Sequence, residues 1–128
     1  MKTQTLLAVT AVLECLTGVG LILAPALLIR ILLGAEMSDT VFFTISRVGG
    51  SAIFALGIAC WFAQKDQQST GSKSLITGML CYNIAVFFIL GYNALTFKIT
   101  IALIAAMVVH FALAIACISS LQKFKPSA

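Results

Sequence analysis

The chain has 128 residues, of which 61% are hydrophobic and 9% are charged, and its mean hydropathy is +1.11. Soluble domains carry roughly 25% charged residues, so this composition excludes a water-exposed surface over the whole chain. The net charge of +4 does not indicate a nucleic-acid partner, because the basic residues stand singly near the ends of apolar runs. The composition therefore predicts an all-α integral membrane bundle that forms a single domain over residues 1–128, with the lipid bilayer as its surroundings.

The first apolar run predicts a transmembrane helix over about residues 6–24, close to the roughly 20 residues that cross a bilayer. Pro25 lacks a backbone N–H and interrupts this helix. The following residues, 26–33, are apolar except for Arg30 and end at Gly34. This pattern predicts a short helix that lies in the membrane interface.

Three further apolar runs predict membrane-spanning helices over about residues 40–63, 75–92 and 99–120. Asp39 precedes the first of them and can accept hydrogen bonds from the unpaired N–H groups of its first turn. Residues 64–74 form the longest polar stretch and are predicted to be a loop. The polar tail 121–128 is predicted to be disordered. The fold class is thus a four-helix membrane bundle with one short interfacial helix after Pro25.

The basic residues outside the helices predict the orientation. With four spans, both termini and the 64–74 loop lie on one side. That side carries five lysines, against Arg30 and Lys98 on the other: Lys2, Lys65, Lys73, Lys123 and Lys125. The positive-inside rule therefore predicts cytoplasmic termini in a multi-pass protein of the cell's inner (plasma) membrane.

Four polar residues fall inside the predicted spans: Glu14, Arg47, Asn83 and His110. A charged side chain at a helix centre costs roughly 2.5–3.5 kcal/mol on insertion scales, so such residues usually face the bundle interior. At about 1.5 Å per residue, Glu14 and Asn83 lie about 12 Å from the inner surface, His110 about 15 Å and Arg47 about 24 Å. We therefore predict a ligand site in which Glu14, Asn83 and His110 point inward, with Arg47 above them, around a cavity open toward the outer half of the membrane. Its apolar walls are predicted from four side chains: Phe43, Phe54, Phe87 and Met107.

Each of these residues has an alternative interpretation. A buried carboxyl such as Glu14 suits proton coupling or cation binding, but it can also pair with Arg47 and fix helix packing. Arg47 can instead extend to lipid phosphates. Asn83 can supply interhelical hydrogen bonds together with Tyr82 and Tyr92.

His110 has small neighbours on its face, including Ala106 and Ala114, that leave room for a large neighbour or a cofactor. A haem held in this way would need a second axial ligand, and the chain has no other histidine, so no haem is expected within a single chain. His110 is then expected to form a hydrogen bond rather than to bind a metal.

The sequence predicts no metal site. Its four cysteines occur one per predicted helix and form no C-x-x-C pair: Cys15, Cys60, Cys81 and Cys117. Nucleotide-binding motifs and a serine nucleophile with its base are also absent. Catalysis by this chain on its own is therefore not expected.

Three stretches resemble the DoxX-like group of small bacterial four-helix membrane proteins: Leu16–Leu28, Ile29–Gly34 and Arg47–Trp61. The resemblance covers the first half of the chain, and the second half is similar only in hydropathy. Some members of that group are membrane subunits of thiosulfate:quinone oxidoreductases. The resemblance therefore implies a hydrophobic ligand of quinone or lipid type, or a place as a membrane subunit of a redox system.

Two other functions stay open from the sequence. The length and the carboxyl of Glu14 in the first helix are similar to the small multidrug resistance family, which implies a proton-coupled exporter. However, the third helix has Cys81-Tyr82-Asn83 in place of that family's tryptophan and Gly-x-Gly pattern, and Pro25 also departs from the pattern. The alternative is an accessory or structural subunit, in a homo-oligomer or a larger membrane complex.

Overall fold

A computed structural model describes residues 1–36, 38–66, 68–96 and 98–124 of the chain. It confirms the predicted all-α fold, with four long helices and a short one after the first. Over the described residues the helices are α1 (Thr3–Leu23), α2 (Pro25–Leu33), α3 (Thr40–Ala63), α4 (Thr70–Asn93) and α5 (Ile101–Leu121).

The four long helices have 21 to 24 residues each and are apolar enough to cross a membrane. At about 1.5 Å per residue they match the roughly 30 Å of hydrocarbon in a bilayer. Large aliphatic and aromatic side chains cover their outer faces. Leu16, Val48 and Phe88, for example, are each about two-thirds exposed, at 67%, 66% and 68%. In water such a surface would be unfavourable, whereas in a bilayer it faces lipid.

The break after α1 lies where the sequence predicts it. Ala24 leaves the helical conformation with φ −139° and ψ 58°, and Pro25 opens α2 at a position where a missing N–H has no cost. Gly34 ends α2 in the left-handed conformation with φ 64°, and its N–H bonds to the carbonyl of Arg30. The Thr100 hydroxyl, at the start of α5, donates to the Leu32 carbonyl over 2.6 Å.

The largest difference from the predicted helix bounds is at the start of α4, which begins at Thr70 and not near residue 75. Ser69 caps this helix because its hydroxyl accepts from the N–H of Ser72 at 3.1 Å. The Ser72 side chain is buried and donates to the Ala63 carbonyl, at the end of α3. Hydropathy marks where a helix enters the hydrocarbon of the membrane. It therefore misses a polar first turn that precedes that point.

The prediction of a disordered tail is wrong for its first residues. Leu121 is the last residue of α5, and Phe124 packs against the core. The Nζ of Lys123 donates to the Met1 carbonyl at 2.8 Å. Residues 125–128 lie outside the described part of the chain.

Helices α1 and α3 are antiparallel and pack backbone against backbone. The contact depends on Gly18, Gly50 and Gly57, where an added Cβ would lie 2.7 Å from an atom of the opposite helix. Small residues at a helix contact in a membrane allow this close approach and gain van der Waals energy from it. The two helices therefore form one tight pair, and α4 packs with α5 as the other.

The two pairs meet mainly at one end of the bundle, which we call the termini end because both chain ends lie there. Here Thr3 and Ser120 share a hydrogen bond of 2.8 Å between α1 and α5. Around it lies a core to which all four long helices contribute: Leu6, Leu7, Ala11, Cys60, Ile76, Met79, Leu113 and Cys117. At the opposite end, α2 packs against α1, α3 and α5 and bridges the two pairs.

Candidate functional site

A polar cluster lies near the middle of the bundle and consists of Glu14, Tyr82, Asn83 and His110. Glu14 is only 3% exposed, and its Oε2 accepts a hydrogen bond of 3.2 Å from the Tyr82 hydroxyl. The Tyr82 ring contacts the His110 ring edge to face, with 5.7 Å between centroids. The Nδ1 of His110 lies 2.8 Å from Oδ1 of Asn83. The cluster therefore connects α1, α4 and α5 through side chains.

Helix register explains why these residues meet. Tyr82 and Asn83 are neighbours in α4, so one points toward α1 while the other points toward α5. Asn83 is 0% exposed, and its Nδ2 donates to the Met79 carbonyl one turn earlier, at 2.7 Å. Each of these polar groups would lose its water partners in lipid, and the contacts within the cluster replace them.

A central cavity of about 400 Å³ extends from this cluster toward α2. All five helices contribute to its wall, which is mostly aliphatic. Thr17, Tyr82 and His110 supply its polar groups. Its remaining lining residues are Leu21, Leu28, Ile29, Ile31, Leu32, Ile53, Val86, Leu90, Ala102 and Ala106.

The shape of the cavity follows from side-chain size along the faces that line it. On α5, Ala102, Ala106 and His110 follow at intervals of four residues and therefore lie on one face. The two alanines leave space toward α2, whereas Leu113 and Cys117 fill the core at the termini end. The two helix pairs are thus packed together at one end and separated at the other.

The structure brings together three of the four predicted site residues. Glu14, Asn83 and His110 are connected through Tyr82, which the sequence marked only as a source of interhelical hydrogen bonds. Of these residues, His110 and Tyr82 line the cavity, while Glu14 and Asn83 lie behind them. Their role in ligand binding stays a prediction.

The predicted position of Arg47 is wrong. Arg47 is exposed, and its Nε donates to the Ile22 carbonyl at 3.2 Å, which connects α3 to the end of α1. It neither lines the central cavity nor contacts Glu14 within the described residues. Tyr92 also lies apart from the cluster and is 71% exposed.

The predicted aromatic walls are wrong as well, because aliphatic residues line the cavity instead. Phe54 contacts Gly18 where α1 crosses α3. Phe87 and Met107 line a groove on the outer face of α4 and α5. Phe43 contacts its neighbour Phe42 within α3. Sequence reasoning also missed Thr17, although it follows Glu14 by three residues and so shares its face of α1.

The cysteines do not gather into a metal site. Cys60 and Cys117 are buried in the core, Cys15 is partly buried against α3, and Cys81 is exposed. Across the described ranges, no group of three or more histidine, cysteine or acidic side chains could hold a metal ion.

Comparison of the chain with protein-family models, curated proteins and solved structures gave no match. The resemblance to the DoxX-like group therefore stays a prediction. What the helices show is a small integral membrane protein, and what the cavity and the polar cluster provide is the geometry of a candidate ligand site.

Proposed function

We propose that this protein binds a hydrophobic small molecule of quinone or lipid type in its central cavity. The observation that carries the proposal is the division of the cavity into an aliphatic wall and a polar end at Tyr82 and His110. A volume of about 400 Å³ is within the range of small-molecule sites, which are mostly apolar and have a few polar groups that orient the ligand.

The position of the cavity supports a ligand that arrives from the membrane. The helix pairs are joined at the termini end, whereas α2 bridges them at the other end. A molecule dissolved in lipid can reach such a space between the helices without crossing water. An apolar body would then lie beside Leu28, Ile53 and Val86, with the polar head at His110.

Under this proposal the protein is a ligand-binding membrane protein or the quinone-binding membrane subunit of a redox system. An exporter in which Glu14 holds a cationic ligand requires that ligand to reach the carboxyl. Glu14 lies behind Tyr82 and does not line the cavity. This geometry favours ligand binding over export as the function to test first.

The test uses two neighbouring alanines of α5. Ala106 lines the cavity, while Ala105 is exposed on the outer face of the same helix. Ala106→Phe should fill the cavity, and Ala105→Phe should only add surface toward lipid. Both variants and the parent would be purified in mild detergent, and molecules that stay bound would be identified by native mass spectrometry. Binding of an added short-chain ubiquinone analogue, in its oxidised and in its reduced form, would be measured in nanodiscs.

We expect saturable binding in the parent and in Ala105→Phe, and its loss in Ala106→Phe. Thermal unfolding of all three proteins checks that Ala106→Phe is still folded. If a folded Ala106→Phe protein keeps the same bound molecules and the same affinity, the cavity is not the site. If the folded parent retains no molecule and binds none, the accessory-subunit function becomes the better explanation.

A further inference from the structure

The hydrogen bonds of the polar cluster fix the tautomer of His110. The Nδ2 of Asn83 lies 2.7 Å from the Met79 carbonyl, which can only accept, so this end of the amide must be the NH₂ group. The other end, Oδ1, therefore faces His110. Since Oδ1 is an acceptor and lies 2.8 Å from Nδ1 of the imidazole, Nδ1 must carry a proton.

In a neutral imidazole the other nitrogen, Nε2, is then a bare acceptor. Among the residues that the structure describes, no atom hydrogen-bonds with Nε2. Every fully buried polar side-chain atom of the described residues does have a partner, so Nε2 is not fully enclosed. His110 borders the central cavity, and we take this cavity as the space that Nε2 faces.

The other polar groups nearby do not supply a fixed donor to the ligand. The Tyr82 hydroxyl directs its hydrogen to Glu14 and so presents its oxygen lone pairs elsewhere. Thr17 has a hydroxyl that rotates and can either donate or accept. The polar end of the cavity is therefore rich in acceptors.

We propose that the ligand of the central cavity has a hydroxyl head group, which donates a hydrogen bond to Nε2 of His110. This inference rests on the proposed function and narrows the ligand class. A head group with only carbonyl or ether oxygens would place an acceptor against an acceptor and leave both without a partner. The hydroxyl can belong to an aromatic diol, such as the reduced form of a quinone, or to an aliphatic lipid alcohol.

The tautomer can be measured directly because the chain contains a single histidine. Nitrogen-15 NMR of the protein with labelled histidine in nanodiscs distinguishes a protonated ring nitrogen from a bare one. We expect Nδ1 to be protonated and Nε2 to be bare. A protonated Nε2 would overturn the proposal, and this measurement needs no variant that could misfold.

The ligand preference is tested with two matched pairs. The first pair is the hydroquinone and quinone forms of one short-chain benzoquinone, under reducing and oxidising conditions. The second is dodecan-1-ol and its methyl ether. In each pair the hydroxyl form should bind at least about tenfold more tightly, because its counterpart leaves Nε2 unpaired. The pair with the higher affinity shows whether the head is an aromatic diol or an aliphatic alcohol.

His110→Phe keeps a ring of similar shape and removes the acceptor. The ratio of affinities within each pair should then fall to about one, even if overall affinity changes. A ratio that survives in His110→Phe, or a quinone that binds the parent as tightly as its hydroquinone, contradicts the inference. Such a result would leave the proposed function intact, because that function is judged by whether Ala106→Phe abolishes binding of any ligand.

Discussion

The contact between α1 and α3 can be tested with two adjacent glycines of α3. A Cβ at Gly50 would lie 2.7 Å from the Cβ of Leu21 and 2.9 Å from the Gly18 carbonyl, whereas ordinary van der Waals contact begins at 3.4 Å. Both atoms belong to rigid parts of α1, so Gly50→Ala can be accommodated only if the helices separate. At Gly49 an added Cβ would meet nothing within 4 Å.

The magnitudes follow from two opposing effects. Overpacking of a close contact costs about 1–3 kcal/mol, while replacing glycine by alanine inside a helix gains about 1 kcal/mol or less. Gly50→Ala is therefore expected to lower the free energy of unfolding by up to about 2 kcal/mol. Gly49→Ala has only the favourable effect, so its stability should equal or exceed that of the parent.

The buried cysteines provide the assay. Cys60 and Cys117 are 0% and 1% exposed, so they react with a fluorogenic maleimide only when the bundle opens, while exposed Cys81 sets the baseline. A thermal scan in detergent should show a lower midpoint for Gly50→Ala and no decrease for Gly49→Ala. Equal midpoints for the two variants would refute the close packing of α1 against α3.

Three further predictions use the same protein. Gly34→Ala should destabilise the protein by about 1–2 kcal/mol, because alanine is strained at φ 64°. An unchanged unfolding midpoint would argue against the left-handed conformation of Gly34 at the end of α2. Glu14→Gln should unfold near the parent's midpoint, since the amide oxygen can still accept from Tyr82. Glu14→Leu should lower the free energy of unfolding by about 1–3 kcal/mol. Equal losses of stability in the two variants would contradict this role of the hydrogen bond. A cysteine at Thr70 should react with membrane-impermeant maleimide only from the cytoplasm, and labelling in intact cells beyond that of the parent would reverse the predicted orientation.

Hydropathy and backbone chemistry were sufficient to predict the spans and the break after α1. A polar side chain has a large cost in lipid, and Pro25 cannot continue a helix, so both signals are local and strong. The same energetic cost explains why Glu14, Asn83 and His110 could be expected to gather. Their depths follow from the helical rise alone, and depth is what the prediction used.

Helix rotation could not be predicted in the same way, and the errors at Arg47 and the aromatic walls both come from it. In a soluble helix the apolar face marks the core, but a membrane helix is apolar on its lipid side and on its core side alike. The rotation of α3 is instead set by Gly50 and Gly57 against α1. Arg47 precedes Gly50 by three residues and so lies beside the end of α1, where it donates to the Ile22 carbonyl and does not reach the cavity. Phe87 follows Asn83 by four residues and shares its face, which is directed toward α5. The Phe87 ring therefore contacts Phe111 of α5, and its neighbour Val86 lines the cavity instead.

The size of the central cavity has a consequence for its occupancy. The space of about 400 Å³ is partly open and is lined mostly by aliphatic side chains, so these side chains lack contact partners unless another molecule fills it. Water is a poor filler, because apolar cavities stay dry and only one end of this one is polar. An apolar molecule is therefore expected to occupy the cavity whenever the fold is intact. A lipid chain and a specific ligand both satisfy that requirement, and the acceptor at His110 is what allows the protein to distinguish between them.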